Sequence, residues 1–309
     1  MQKCCTTILD AVGKTPLVYL GRISPAGGAK IYAKVECVNP GGSIKTRTAL
    51  GMIEAAERAG QLKSDSVIVE VTSGNQGIAM AMIGAVKGYK VRIVMPENMS
   101  VERQKLIRAY GAEIILTPAG ASITEAIESA LAVADEMAAK DSRVFLPRQF
   151  ENVNNPDIHR RTTGQEILAQ MTGPVDAFVA GFGTGGTITG IGEVLKKAYP
   201  GVRIIAAEPD NAAILAGKPI GHHVQQGIGD GVIPPILNRD IIDDLVQVSD
   251  DEACETARRL AREEGILCGV SSGTNACAAA KIARKLGPGK SVVTVLPDTG
   301  ERYLSTGLF

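Results

Sequence analysis

The sequence predicts an α/β protein made of two doubly wound, parallel-sheet domains, and three observations carry that expectation. Short apolar runs of strand length alternate with helix-length segments along almost the whole chain. Glycine-rich loops follow several of these runs and open the next helix. A Pro- and Asn-rich break, "PRQFENVNNPD" at 147–157, separates the alternation into two series.

In the first series "SVIVEV" (66–71) reads as a buried strand, "GIAMAMIGAVKG" as a helix closed by Gly88, and "KVRIVMP" as a strand ended by Pro96. A helix through "SVERQKLIRAYG", a strand "AEIILT", a helix "SITEAIESALAVADEMAAK" and a strand "RVFLP" complete it. The second series runs helix "GQEILAQMTG", strand "VDAFVAG", helix "ITGIGEVLKKAYPG", strand "VRIIAAEP", helices around 251–264 and 273–286, and strand "SVVTVLP". Strands this apolar are covered on both faces, as parallel sheets are. With 309 residues the chain exceeds the size at which single cores stop growing. Two domains are expected, 1–147 and 148–309, with the N-terminal segment free to pack on the second. Ligands of open α/β sheets lie at the carboxyl ends of strands, which puts the expected site in a cleft between the halves.

Composition removes several function classes. Lys plus Arg equals Asp plus Glu at 33 each, so no net field draws the chain to nucleic acid or an anionic membrane. Trp is absent and Tyr and Phe are few, which leaves no stacking platform for bases. The N-terminus lacks the apolar core of a signal peptide and no long apolar run follows, so a cytoplasmic protein is expected. Six cysteines (Cys4, Cys5, Cys37, Cys254, Cys268, Cys277) show no CxxC spacing or Cys/His cluster, so reduced thiols and no metal site are expected.

Three loops at strand ends carry chemistry. "AGFGTGGTITG" (180–190) holds five glycines among eleven residues, more than a tight turn needs, and suits a phosphate held by backbone N–H groups with Thr184 and Thr187 as further donors. Gly181, Gly183 and Gly186 also fit the dinucleotide-binding pattern, with Glu208 placed as its ribose acid, so an NAD-dependent dehydrogenase is an alternative. That pattern lies in the second half of the chain, however, where a nucleotide domain would not normally begin. No Walker A lysine motif occurs. "VTSGNQGIA" (71–79) crowds Thr72, Ser73, Asn75 and Gln76 at a helix start, more polar groups than capping requires, and suits a carboxylate. In "CGVSSGTNA" (268–276) serine is either an N-cap or a hydroxyl aimed at a ligand. Finally, "NPGGSIKTR" (39–47) places Lys45 after a turn where no helix face or strand alternation asks for it. A lysine amine and a phosphate site together suggest a Schiff base to pyridoxal phosphate, an electron sink for carbanions.

With these motifs the chain resembles the fold-type II pyridoxal phosphate enzymes, and within them the cysteine synthases (O-acetylserine sulfhydrylases). The resemblance runs from "GKTPLVYL" through "NPGGSIKTR", "TSGNQGIA", "GFGTGGTITG", "QQGIGDGVIP" and "GVSSG" to "LPDTGERYLST". It implies that Lys45 binds the cofactor covalently, that Asn75 contacts its ring hydroxyl, that Gly183, Thr184, Gly185, Gly186 and Thr187 hold its phosphate, and that Ser271 meets the pyridine nitrogen. It further implies that Thr72, Ser73, Gln76 and Gln149 take the substrate carboxylate, and that O-acetyl-L-serine and sulfide become L-cysteine and acetate by way of an aminoacrylate. A homodimer is implied as well. A non-catalytic binding subunit would be expected to have lost the lysine or the phosphate loop, and both are present.

Three departures from the family pattern stand out: Thr46 where "KDR" is common, Gln76 where "TSGNTG" is usual, and Asp230 in "GIGDG" where many members carry a small residue. Asp230 is either a turn residue or a general base that activates water, and the second reading makes the chain an L-cysteine lyase releasing hydrogen sulfide and forming L-serine. His159, His222 and His223 read as loop or packing residues, and Asp298 and Glu301 receive no role.

Overall fold

The computed structural model describes residues 4–72, 74–97, 100–120 and 123–309. Strands β1 (Leu17–Tyr19) and β2 (Lys30–Val35) come first. Then follow α1 (Lys45–Arg58), β3 (Val67–Val71), α2 (Asn75–Lys87), β4 (Lys90–Pro96), α3 (Val101–Ala109), β5 (Glu113–Thr117), α4 (Ile123–Lys140) and β6 (Val144–Phe145). The remainder contains α5 (Asn154–Ile158), a π-helical turn (His159–Thr163), α6 (Gly164–Gln170), β7 (Ala177–Gly181), α7 (Gly186–Ala198), β8 (Arg203–Pro209), β9 (Asp244–Val248), α8 (Asp250–Glu264), α9 (Val270–Leu286) and β10 (Ser291–Leu296).

The chain forms two compact units. One comprises the residues up to Val12 with Asn39–Asn155, the other Gly13–Val38 with Pro156–Phe309. The sequence reading divides the chain at 147/148; the structure keeps the following loop with the first unit, where the Asn152 amide donates to the Pro147 carbonyl (2.9 Å) and the Asn155 amide to that of Gln149 (2.8 Å).

The first unit carries a four-stranded parallel sheet in the order β5-β4-β3-β6. Alternate residues of β3 reach opposite faces: Ile68 packs with Ile53, Ile78 and Ile83, while Val67 and Val69 pack with Ala130 and Ala134. Helices on both faces explain why the strand reads as one apolar run. Glu70 shares the Ile68 parity and is the one charge in it.

The second unit carries a six-stranded sheet, β1-β2-β10-β7-β8-β9, parallel except for the β1–β2 pair. Its largest core joins Val179, Ile205 and Val248 to Ala253, Leu260, Ala276 and Ala279. Sequence reading misses β2, since "KIYAKV" puts two lysines in the run. Lys34 is nonetheless fully buried, its ammonium bonded to the Thr15 carbonyl (2.6 Å), to Gln170 Oε1 (2.8 Å) and to Glu166 (2.7 Å). Paired in this way, a lysine is tolerated inside a sheet.

Candidate active site

In the first unit, the turn before Lys45 is fixed by backbone geometry. Gly41 and Gly42 have φ of 77° and 70°, in the left-handed region that favours glycine. A β-carbon on Gly41 would stand 3.1 Å from Thr46 Oγ1 and 3.3 Å from Met82 Sδ. The Gly42 N–H donates to the Asn39 carbonyl (2.7 Å) and Thr46 Oγ1 to that of Pro40 (2.6 Å), which clamps both sides of the turn. Lys45 is therefore the first residue of α1, half-buried, with Thr46, Arg47 and Thr48 buried behind it. A cation at a helix N-terminus gains nothing from the helix dipole, so folding alone does not account for it.

In the loop from β3 to α2 the N-cap is Gly74, with φ of 157° and no side chain to cap the helix; the Thr72 hydroxyl accepts from the Gly74 N–H (3.1 Å). A β-carbon on Gly74 would stand 2.1 Å from Arg103 Cδ, so glycine is required. Asn75 and Gln76 form the first turn of α2, and Ser73 lies outside the described residues. Gln76 is 1% exposed, yet neither amide atom makes a well-formed hydrogen bond among the described residues. Gln149 is 5% exposed and its Oε1 is likewise unpaired. It follows Arg148, a left-handed residue (φ 50°) bonded to Asp135 (2.7 Å), whose carbonyl accepts the N–H groups of Glu151 and Asn152. Each buried amide atom left unpaired costs about 1–3 kcal/mol, so these glutamines are suited to a polar ligand: Gln76 Nε2 can donate to a carboxylate, and the oxygens can accept from a donor such as an amine.

Beside them lies Glu70, buried and unassigned by sequence reasoning, although one acid in a buried apolar strand is a readable signal. Burial pushes its carboxyl up to about 8, opposed by the Gln76 amide, the Val71 backbone and the charges of Lys45 and Arg148.

In the second unit, the loop after β7 is pressed from two sides. A β-carbon on Gly183 would meet the Gly227 carbonyl oxygen at 2.6 Å and Asp230 Oδ2 at 3.0 Å; one on Gly185, the N-cap of α7 with φ of 81°, would meet Leu237 Cβ at 2.8 Å. These glycines are set by close approach, and the backbone N–H groups opening α7 form an anion cradle. Thr184 Oγ1 accepts from the Gly186 N–H (3.4 Å), and Thr187 Oγ1 lies 3.4 Å from His159 Nε2.

Glu208, the ribose acid of the dinucleotide alternative, is buried and accepts the Leu215 N–H (2.8 Å), with the N–H groups of Ile214 and Ala216 also stabilising its charge. Burial raises its carboxyl. It organises its own loop.

Ser271 is buried in the first turn of α9; the N-cap is Gly269, so the serine does not cap the helix. Asp298 sets this helix start: a β-carbon on Gly269 would stand 2.2 Å from its Oδ1, and its Oδ2 accepts from the Tyr303 hydroxyl (2.8 Å). His223 holds the loop that carries Asp230, with Nε2 at 3.0 Å from the Gly229 carbonyl and Nδ1 accepting the Gln225 N–H (3.2 Å). His222 is exposed, whereas His159 is fully buried. Among the described residues no His, Cys, Asp and Glu groups are arranged to hold a metal ion, and no helix is long and apolar enough to cross a membrane.

The family described as pyridoxal-phosphate dependent enzyme matches residues 8–298. Cysteine synthase from Staphylococcus aureus is 50% identical over 309 residues, which is 100% of this chain and 98% of that protein. The crystal structure of O-ureido-L-serine synthase has a TM-score of 0.95 at 47% identity, covering 99% of this chain and 96% of that one. A hydrogen sulfide-producing enzyme from Fusobacterium nucleatum has a TM-score of 0.92 at 41% identity, covering 97% and 100%. With the family matched over residues 8–298 and half identity to a cysteine synthase along the full length, the chain belongs to the pyridoxal-phosphate dependent enzymes, in their cysteine synthase family.

Proposed function

We propose that the enzyme joins O-acetyl-L-serine and hydrogen sulfide to give L-cysteine and acetate. The observation that carries this reading is the pairing of a turn-borne lysine with a glycine cradle at a helix N-terminus, in a chain half identical to a cysteine synthase.

The residues fit the cofactor. Lys45 would supply the amine that anchors it, Gly183, Thr184, Gly185, Gly186 and Thr187 would hold its phosphate at the backbone N–H groups that open α7, Asn75 would meet its ring hydroxyl, and Ser271, buried in the first turn of α9, its pyridine nitrogen. Once bound, pyridoxal phosphate supplies an electron sink for negative charge at the substrate's α-carbon. Lys45 Nζ takes the α-proton. Thr72, Ser73 and the two unpaired buried amides, Gln76 and Gln149, fix the substrate carboxylate, which orients that proton toward the lysine. Ser271 is a neutral hydrogen-bond partner, and unlike a carboxylate it does not enforce a protonated ring, which suits β-elimination and replacement. The Cβ–O bond to acetate breaks, a Cβ–S bond to hydrosulfide forms, and Lys45 Nζ returns a proton to the α-carbon. We read the enzyme as a cytoplasmic homodimer, as its family members commonly are.

One observation favours a second reading. The half-buried Asp230 lies against Gly183 of the glycine loop, which supports reading it as a base for water at the β-carbon, so that L-cysteine and water give L-serine and hydrogen sulfide.

Purified enzyme, yellow and losing that colour on borohydride treatment with Lys45 modified, would be given either O-acetyl-L-serine with sulfide or L-cysteine alone. The first reading expects cysteine from the former and little sulfide from the latter. Equal release of sulfide and L-serine from L-cysteine would replace it with the second.

A further inference from the structure

His159 is the one histidine buried to 0% exposure, and it lies far from solvent with both ring nitrogens beside threonine hydroxyls. Nδ1 is 2.9 Å from Thr163 Oγ1 and Nε2 is 3.4 Å from Thr187 Oγ1. Thr163 is itself fully buried, and both it and His159 belong to the π-helical turn, a local widening that tends to occur where function requires it. The packing that brings the ring to α7 is exceptionally close. A β-carbon on Gly190 would stand 2.3 Å from the Pro156 carbonyl oxygen and 2.7 Å from His159 Cβ, and one on Gly164 would stand 3.0 Å from Val194 Cβ. Thr187, Gly190 and Val194 recur at helical spacing on one face of α7. The missing side chains at Gly164 and Gly190 therefore let the π-turn press against that face, one turn behind the anion cradle.

The chemistry of the ring then limits the arrangement. A neutral imidazole has one N–H and one acceptor nitrogen, so it donates to one threonine and accepts from the other. If Nδ1–H donates to Thr163, the Thr187 hydroxyl must give its hydrogen to Nε2 and has none left for an anion. If the Thr163 hydroxyl donates to Nδ1, Nε2–H donates to Thr187 Oγ1 and the Thr187 hydrogen is free to turn to the cradle. An anion at the head of α7 selects the second arrangement.

We propose that His159 is a positioning residue for the phosphate loop, holding Thr187 through a Thr163–His159–Thr187 hydrogen-bond chain in which the threonine hydroxyl is turned to donate to the cofactor's phosphate. This rests on the reading of Gly183–Thr187 as the phosphate loop. In this proposal His159 acts on the phosphate through Thr187.

The test uses apo-enzyme and two non-covalent probes, pyridoxamine phosphate and pyridoxamine, whose affinity ratio isolates the phosphate. His159→Leu is expected to lower that ratio about ten-fold, the loss of one hydrogen bond to a charged group. His159→Gln, which keeps a donor at the reach of Nε2, is expected to recover most of it, and Thr163→Val to lose several-fold by releasing the tautomer. Thr187→Val is expected to lose about as much as His159→Leu, and the double variant no more than either alone. Equal losses for His159→Leu with and without the Thr187 hydroxyl would reduce His159 to packing and overturn the proposal. An unchanged ratio in Thr187→Val would instead overturn the phosphate-loop role of that residue, so the two failures are distinguishable. Should His159→Leu not fold, Thr163→Val and ¹⁵N spectra of histidine-labelled wild type decide the matter. The phosphate probe is expected to bring the hydrogen of His159 to Nε2, and a spectrum with it on Nδ1 in the bound state would sink the idea.

Discussion

Asp230 Oδ2 stands 3.0 Å from the position a β-carbon would take on Gly183, and the Gly229 N–H donates to the Phe182 carbonyl (3.2 Å), so the loop carrying the aspartate is fastened to the glycine loop that opens α7. A turn residue in water has no such attachment. The contact makes Asp230→Asn informative, because the amide keeps the shape and removes the base. L-Serine formation from L-cysteine, if wild type shows it, should fall at least ten-fold in this variant, within the range by which a missing general base slows a reaction. Cysteine formation from O-acetyl-L-serine should stay within a few-fold of wild type, since hydrosulfide needs no base. Serine produced at an undiminished rate by the Asn variant would remove Asp230 from the chemistry.

Gln76 and Gln149 make a second prediction. A buried amide N–H without a well-formed hydrogen bond is costly in the free enzyme and is satisfied when a carboxylate arrives to accept from it, so its contribution is to binding. Gln76→Ala should raise KM for O-acetyl-L-serine about ten-fold with kcat nearly unchanged, and Gln149→Ala should behave in the same way. A fall in kcat with KM constant would place these amides at the transition state and not at the ground-state carboxylate.

How far the sequence carries can be judged at single residues. The alternation in "SVIVEV" is legible as a buried strand because helices cover both faces of β3, and the cradle is legible because glycine was needed at Gly183 and Gly185 by contacts that permit no side chain. β2 escapes because Lys34 is buried by a partner set drawn from Thr15, Glu166 and Gln170, which local periodicity does not contain. His159 escapes for the same reason. Its neighbour Thr187 lies 28 positions along the chain and the glycine that admits it is on another helix. Ser271 reads as an N-cap in sequence because serine often is one, whereas Asp298 and Tyr303 fix the helix start two residues earlier, with Gly269 as the N-cap and Val270 the first helical residue.

The thiols supply a third prediction. Burial pushes Cys37 up to about 11 and Cys268 up to about 12, and it raises Cys254 and Cys277 as well. A thiol held protonated at neutral pH is a poor nucleophile. Cys4 and Cys5 are exposed. A disulfide reagent at pH 7.5 should therefore titrate two thiols rapidly, the half-buried Cys37, Cys254 and Cys277 far more slowly, and Cys268 only after unfolding. Fast modification of Cys268 in the folded enzyme would contradict its burial.

Glu70 gives the last prediction, and its sign follows from linkage. Burial holds its carboxyl near 8, against an ordinary value of 4.5. Below 4.5 both folded and unfolded chains hold the proton, and this residue contributes no pH dependence. Between 4.5 and about 8 the unfolded chain has released the proton while the folded chain still carries it, so stability falls as pH rises through this window and levels off above it. In Glu70→Gln the group cannot ionise, and an isosteric amide keeps the packing beside Gln76. The variant should match wild type near pH 4.5 and exceed it near pH 8 by an amount on the order of a few kcal/mol. Urea unfolding of wild type and variant at a series of pH values measures the difference directly, and other titrating groups cancel in the subtraction. Parallel stability curves across the window would mean that Glu70 is ionised in the folded enzyme, with the ammonium of Lys45 and the Arg148 guanidinium outweighing the cost of its burial.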